Sequence, residues 1–142
     1  PLILMHSRGS FDELHQAPHY ATVAAEVTAE LVEALTRAEH AGVCREQLLV
    51  DPGLGFAKDA SHSLAVLRHL DVLACLERPL LVGPSRKSFI GHTLGRAVGE
   101  RLMGTAASVA AAVLGGAHLV RLHDVEALGD VVRLADAIRG DS

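Results

Sequence analysis

Leu80-Leu81-Val82-Gly83-Pro84-Ser85-Arg86-Lys87-Ser88-Phe89-Ile90-Gly91 reads as a short apolar strand, a Gly-Pro break, two adjacent cations and a serine that opens a helix. That order aims two positive charges and a helix N-terminus at one point beyond the strand, where unpaired backbone amides and the helix dipole favour anions. A small anionic ligand is expected there. Three further apolar runs, 2–5, 47–50 and 118–122, have the same character, and each leads into polar or glycine-rich sequence. Helical patterns over 20–41, 61–76, 100–114 and 125–138 fill the intervals. Strand starts therefore recur every 30 to 45 residues or so, which is the βα repeat of a parallel sheet. Apolar runs without polar alternation fit strands covered on both faces, as parallel sheets require.

Four βα units leave two architectures open. A complete (β/α)8 barrel needs eight units and about 250 residues, so 142 residues supply half of one. An open, doubly wound four-stranded sheet would be complete at this length. No low-complexity linker or internal repeat interrupts the chain, so residues 1–142 are expected to form a single segment.

Composition narrows the function classes. Aromatic residues make up only 3% of the chain, with no Trp and one Tyr, so the stacking platforms that hold single-stranded nucleic acid are missing. A formal charge of −4 gives no general attraction to polyanions or membranes, and any anion site must be local. No stretch approaches the roughly 20 apolar residues of a membrane span, and a cytoplasmic location is expected. Cys44 and Cys75 lack metal-ligand spacing and read as two buried, reduced thiols. His15 and His19 stand four apart, yet Pro18 between them breaks the helix that a zinc pair would need. His40, His62, His69 and His92 read as surface residues. No metal site made of this chain's own ligands is expected.

The polar clusters each come directly after a strand: Met5-His6-Ser7-Arg8-Gly9, Asp51-Pro52-Gly53-Leu54-Gly55-Phe56-Ala57-Lys58, Ser85-Arg86-Lys87-Ser88 and Arg121-Leu122-His123-Asp124. Parallel α/β architectures gather the C-terminal strand ends on one face, so the four clusters become one site. Asp51 reads either as a two-oxygen acceptor for a planar amidine-like edge or as a turn-forming Asp before Pro-Gly. Gly53 and Gly55 allow the backbone to approach a ligand or a neighbouring strand closely. Phe56 reads equally as a lid residue or a core anchor. Strand alternation puts Arg121 and His123 on one side, either as a diphosphate clamp or as a solvated strand end paired with Asp124.

With these motifs assembled, the chain resembles the C-terminal half of the dihydropteroate synthases. The Leu-Met-His run, Asp-Pro-Gly-x-Gly-Phe-x-Lys at 51–58, Ser-Arg-Lys-Ser at 85–88 and Arg-x-His-Asp at 121–124 occur in order across all 142 residues. The resemblance implies half of a (β/α)8 barrel. It also implies a folate-pathway, sulfonamide-targeted enzyme that joins 4-aminobenzoate to a dihydropterin methyl diphosphate and releases pyrophosphate. Asp51 would hold the pterin edge and Met5 would line its pocket. Lys87 would bond the pterin near the aminobenzoate, Ser88 would bind the aminobenzoate carboxylate, and Phe56 would flank it. Arg121 would flank the pterin and, with His123, hold the diphosphate. Gly55 and Gly83 complete the substrate-binding set, and Lys87, Arg121 and His123 are the catalytic candidates.

Magnesium is implied, with its ligand in the N-terminal half, as is a homodimer formed through the helical exterior. Without the first four strands this segment is expected to bind substrates poorly and to associate through open sheet edges. A pterin-binding corrinoid methyltransferase module shares the barrel and an Asp-based pocket. The 85–88 cluster and the Arg121/His123 pair favour a substrate that loses diphosphate. A non-catalytic half-barrel is the remaining reading.

Overall fold

The computed structural model describes residues 1–9 and 19–140; His15 and Pro18 lie outside the described residues. Four parallel strands, β1 (Leu2–Met5), β2 (Leu48–Asp51), β3 (Leu81–Val82) and β4 (Leu119–Val120), alternate with helices α1 (Val23–His40), α2 (Ala60–Arg68), α3 (Ser88–Leu94), α4 (Leu102–Leu114) and α5 (Val125–Arg139). β1 pairs with β2 and β3 with β4, while a parallel bridge from Val50 to Leu80 joins the two pairs. The strands thus run 1-2-3-4 in chain order without a reversal. A doubly wound sheet needs a point at which the order reverses, whereas a barrel adds each strand to the last. The half-barrel expectation holds.

Register sorts the side chains into two faces. Leu4, Leu48, Val50, Leu80 and Val82 turn toward the helices and join the main core with Val27 and Leu31 of α1, Val66 of α2 and Phe89 of α3. Met5 stands level with Asp51, and Leu81 with Leu119, on the opposite, concave face. On that face Ile3, Met5 and Leu119 are exposed.

The helix expected over 61–76 divides at His69 into α2 and a 3-10 segment, Leu70–Leu76. Leu70, Leu73 and Leu76 lie three apart and are all buried. Spacing of three stacks side chains on one face of a 3-10 helix but drifts around an α-helix, so packing selects the tighter form. Val72, in the same segment, is exposed. Both cysteines are free and exposed, which corrects the expectation of buried thiols. Each sits at the margin of a 3-10 segment on the helical exterior, where no apolar layer covers it.

Candidate active site

β2 ends in Asp51, whose side chain is 3% exposed and whose Oδ1 accepts the Gly53 backbone N–H at 2.8 Å. Burial pushes this carboxyl above the usual range, while the Gly53 N–H and the charges of Arg121, Lys87 and Lys58 oppose the push. Beside it, the Arg121 backbone N–H bonds to Val82 as β4 ends, and Nη2 reaches 3.9 Å from Asp51 Oδ2. Gly83 makes that approach possible: a Cβ there would lie 3.1 Å from the Arg121 guanidinium. A mostly exposed guanidinium facing a buried carboxylate leaves donors and an acceptor open to a planar, hydrogen-bonding ligand.

Lys87 brings the third strand tip to the same place. Its ammonium sits 4.0 Å over the Phe56 ring, and burial and Arg121 lower its pKa while Asp51 raises it. A Cβ on Gly55, where φ is +76°, would come 3.6 Å from the Lys87 side chain and 4.0 Å from Ser88 Oγ. Asp51, Gly55, Phe56, Gly83, Lys87, Ser88 and Arg121 therefore converge. Met5 borders them from β1, with Cγ 3.4 Å from where a Gly53 Cβ would stand.

Two expectations change. Arg86 does not face the ligand position: its guanidinium forks onto Asp124, with Nε to Oδ2 at 3.1 Å and Nη2 to Oδ1 at 2.5 Å. The left-handed backbone at Arg86, φ +58°, turns it away from Lys87, so only one of the two adjacent cations serves the site. Asp124 consequently pairs with Arg86 and not with the Arg121/His123 end. His123 lies beyond β4, which ends at Val120, so strict alternation no longer fixes its direction. Its Nδ1 is 2.9 Å from the buried Ser85 Oγ, which also accepts the His123 backbone N–H at 3.2 Å. Among the described residues no hydrogen bond or ion pair joins His123 to Arg121, Asp51 or Lys87.

A buried relay below the site escaped the sequence reading. Lys58 Nζ donates to His6 Nδ1 at 2.7 Å and to the carbonyls of Gly53 and Phe56 at 3.2 Å each. Because His6 Nδ1 accepts from an ammonium, its ring proton resides on Nε2 and is donated to Glu30 at 2.9 Å. Glu30 in turn holds Arg8, which also bonds Glu26 at 2.7 Å and stacks 4.0 Å over Tyr20. Burial and Lys58 bring His6 down to about 4, and burial brings Lys58 down to about 8. The one available signal was a Lys in a glycine-rich turn and a His at a strand tip, 52 residues apart.

The chain matches the pterin binding enzyme family over residues 1–123. It is 44% identical over 139 residues to the dihydropteroate synthase of Synechocystis sp., a match covering 97% of this chain and 48% of that protein. The Yersinia pestis dihydropteroate synthase with a sulfonamide drug complex superposes with a TM-score of 0.93 at 34% identity, over 98% of this chain and 51% of that one. The Xanthomonas albilineans dihydropteroate synthase in complex with 7,8-dihydropteroate gives 0.89 at 39% identity, over all of this chain and 52% of that one. The chain spans about half the length of the curated relatives it matches.

Proposed function

Because the chain belongs to the pterin binding enzyme family, we propose that its four βα units work as half of a dihydropteroate synthase, condensing 4-aminobenzoate with a dihydropterin methyl diphosphate in folate biosynthesis. The observation that carries this reading is the buried Asp51 carboxylate facing both Arg121 and Lys87 at adjoining strand tips. An ionised Asp accepts two hydrogen bonds from the amino-pyrimidinone edge of a pterin, and Met5 closes one side of that pocket. Arg121 and Lys87, with His123 at the rim, neutralise the diphosphate as it departs. Breaking the carbon–oxygen bond puts negative charge on the leaving group and positive charge on the methylene carbon. Fixed cations lower that barrier electrostatically. The aminobenzoate amine, seated by Phe56, Gly55 and Ser88, then bonds to the carbon and loses its proton to water. An aniline nitrogen is neutral at pH 7, so this chain supplies no general base.

Among the described residues no three His, Cys, Asp or Glu side chains gather as metal ligands. In this reading magnesium is held outside this chain. A cytosolic enzyme that pairs as a homodimer completes the proposal, with Leu94, Val98, Leu102 and Met103 offering an exposed apolar surface for pairing.

The test is direct. A polypeptide carrying all eight βα units should form dihydropteroate and release pyrophosphate in equal amounts from the two substrates. Release of neither product would overturn the reading. By calorimetry the 142-residue chain alone should bind either substrate at least tenfold more weakly than the eight-unit protein.

A further inference from the structure

Lys58 is 6% exposed, carries no opposing carboxylate within hydrogen-bond reach among the described residues, and spends all three of its donors inside the protein. Burying an ammonium is costly unless each proton is satisfied, so an apolar residue would be the ordinary choice at such a position. Its three acceptors show what the charge does there. Gly53 accepts through its carbonyl, and the same residue's N–H holds Asp51 Oδ1. His6 accepts through Nδ1, and its backbone N–H bonds the Asp51 carbonyl at 2.8 Å. Phe56, the third, carries the ring beneath Lys87. Lys58 thus grips both residues that fasten Asp51 and the one that seats Lys87.

The turn has no regular ladder to hold it. Gly53, Gly55 and Ala57 all adopt positive φ, and apart from a bond from Phe56 N–H to the Gly53 carbonyl the segment is tied down by side chains: Lys58 from within, Ser63 Oγ to the Gly55 N–H at 3.2 Å, and Tyr20 to the Ala57 carbonyl at 3.0 Å. Among the described residues, Lys58 is the side chain that bonds at both the carboxylate end and the aromatic end.

We propose that Lys58 is a positioning residue for the condensation: its buried ammonium, locked by His6 and Glu30, sets the 53–56 turn so that Asp51 and Phe56 present a preformed cradle to both substrates. This rests on the activity proposed above. Lys58 touches no reacting atom, so its loss loosens ground-state binding more than it slows chemistry.

The experiment compares wild type, Lys58→Met and Lys58→Gln in the eight-unit polypeptide, measuring kcat, KM for each substrate and the thermal midpoint. Expected is a rise of at least tenfold in both KM values for Lys58→Met, a smaller fall in kcat, and an intermediate rise for Lys58→Gln, which keeps a donor. A residue that only stabilised the fold would reduce the active fraction, lowering kcat and leaving KM alone. KM values within twofold of wild type in the folded variants overturn the proposal, whatever happens to kcat. Should Lys58→Met not fold, Lys58→Gln decides by the same criterion. A wild-type protein that makes no dihydropteroate overturns the functional reading itself; an active wild type with unmoved KM values overturns only the role of Lys58.

Discussion

Gly83 shows how much of the site depends on single atoms. An added methyl would meet the Arg121 guanidinium at 3.1 Å, and that group is the movable end of an exposed side chain. Gly83→Ala should therefore cost little stability while turning Arg121 from Asp51, cutting kcat/KM at least tenfold at an unchanged thermal midpoint. Gly53 is the opposite case: its Cβ would lie 2.0 Å from the His6 carbonyl at φ +67°, with rigid backbone on both sides. Gly53→Ala should cost about 3 kcal/mol or more, read from urea unfolding. Replacing the charged groups themselves acts on chemistry: Lys87→Ala and Arg121→Ala should each lower turnover by about 100-fold or more, and near-normal rates would remove them from the mechanism.

His6 adds a pH signature at the same scale. Its folded pKa near 4 lies below the ordinary 6.5, so between these values the unfolded chain binds a proton that the folded one refuses. Stability should fall as the pH drops through that window, by about 3 kcal/mol in all. His6→Asn keeps an acceptor for Lys58 and should flatten this acid limb of the urea midpoint; an equally steep limb in the variant would assign the effect elsewhere.

At the scale of elements, the strand tips were legible because buried parallel strands write themselves as unbroken Leu/Val runs, and the residues at the C-terminal end of such a run must lie on the functional face. Asp51, Lys87 and Arg121 were found this way. The Arg86–Asp124 fork and the Lys58–His6 bond were not, since they join residues 38 and 52 positions apart and depend on which way a loop turns. The break at His69 hid behind an apolar pattern that serves both helix types. α2 also owes its start to a local device, the Asp59 carboxylate that accepts the His62 N–H at 2.8 Å. Asp59→Ala should cost about 1 kcal/mol. Because α2 packs behind the 53–58 turn, its thermal loss should come with KM values close to wild type, in contrast to the neighbouring Lys58.

For the molecule as a whole, the open concave face and the free flank of β1 set the behaviour. Leu2, Ile3, Met5 and Leu119 are exposed along a sheet that ends on one side at β1 and on the other at β4. Expressed by itself, the 142-residue chain should associate in a concentration-dependent way, seen by sedimentation, and co-expression with the other four units should suppress this. A monodisperse monomer at high concentration would mean that the edges are blunted by some other means.

The strict 1-2-3-4 order of the sheet also governs how such a protein can be made. Each strand finds its partner in the unit that left the ribosome just before it, 46, 30 and 38 residues upstream by the observed pairings. Within these four units growth is therefore vectorial: each new βα unit docks on an edge already waiting. The side chains that meet at the strand tips are delivered one per unit in the order of translation, Asp51 first, Lys87 next and Arg121 last.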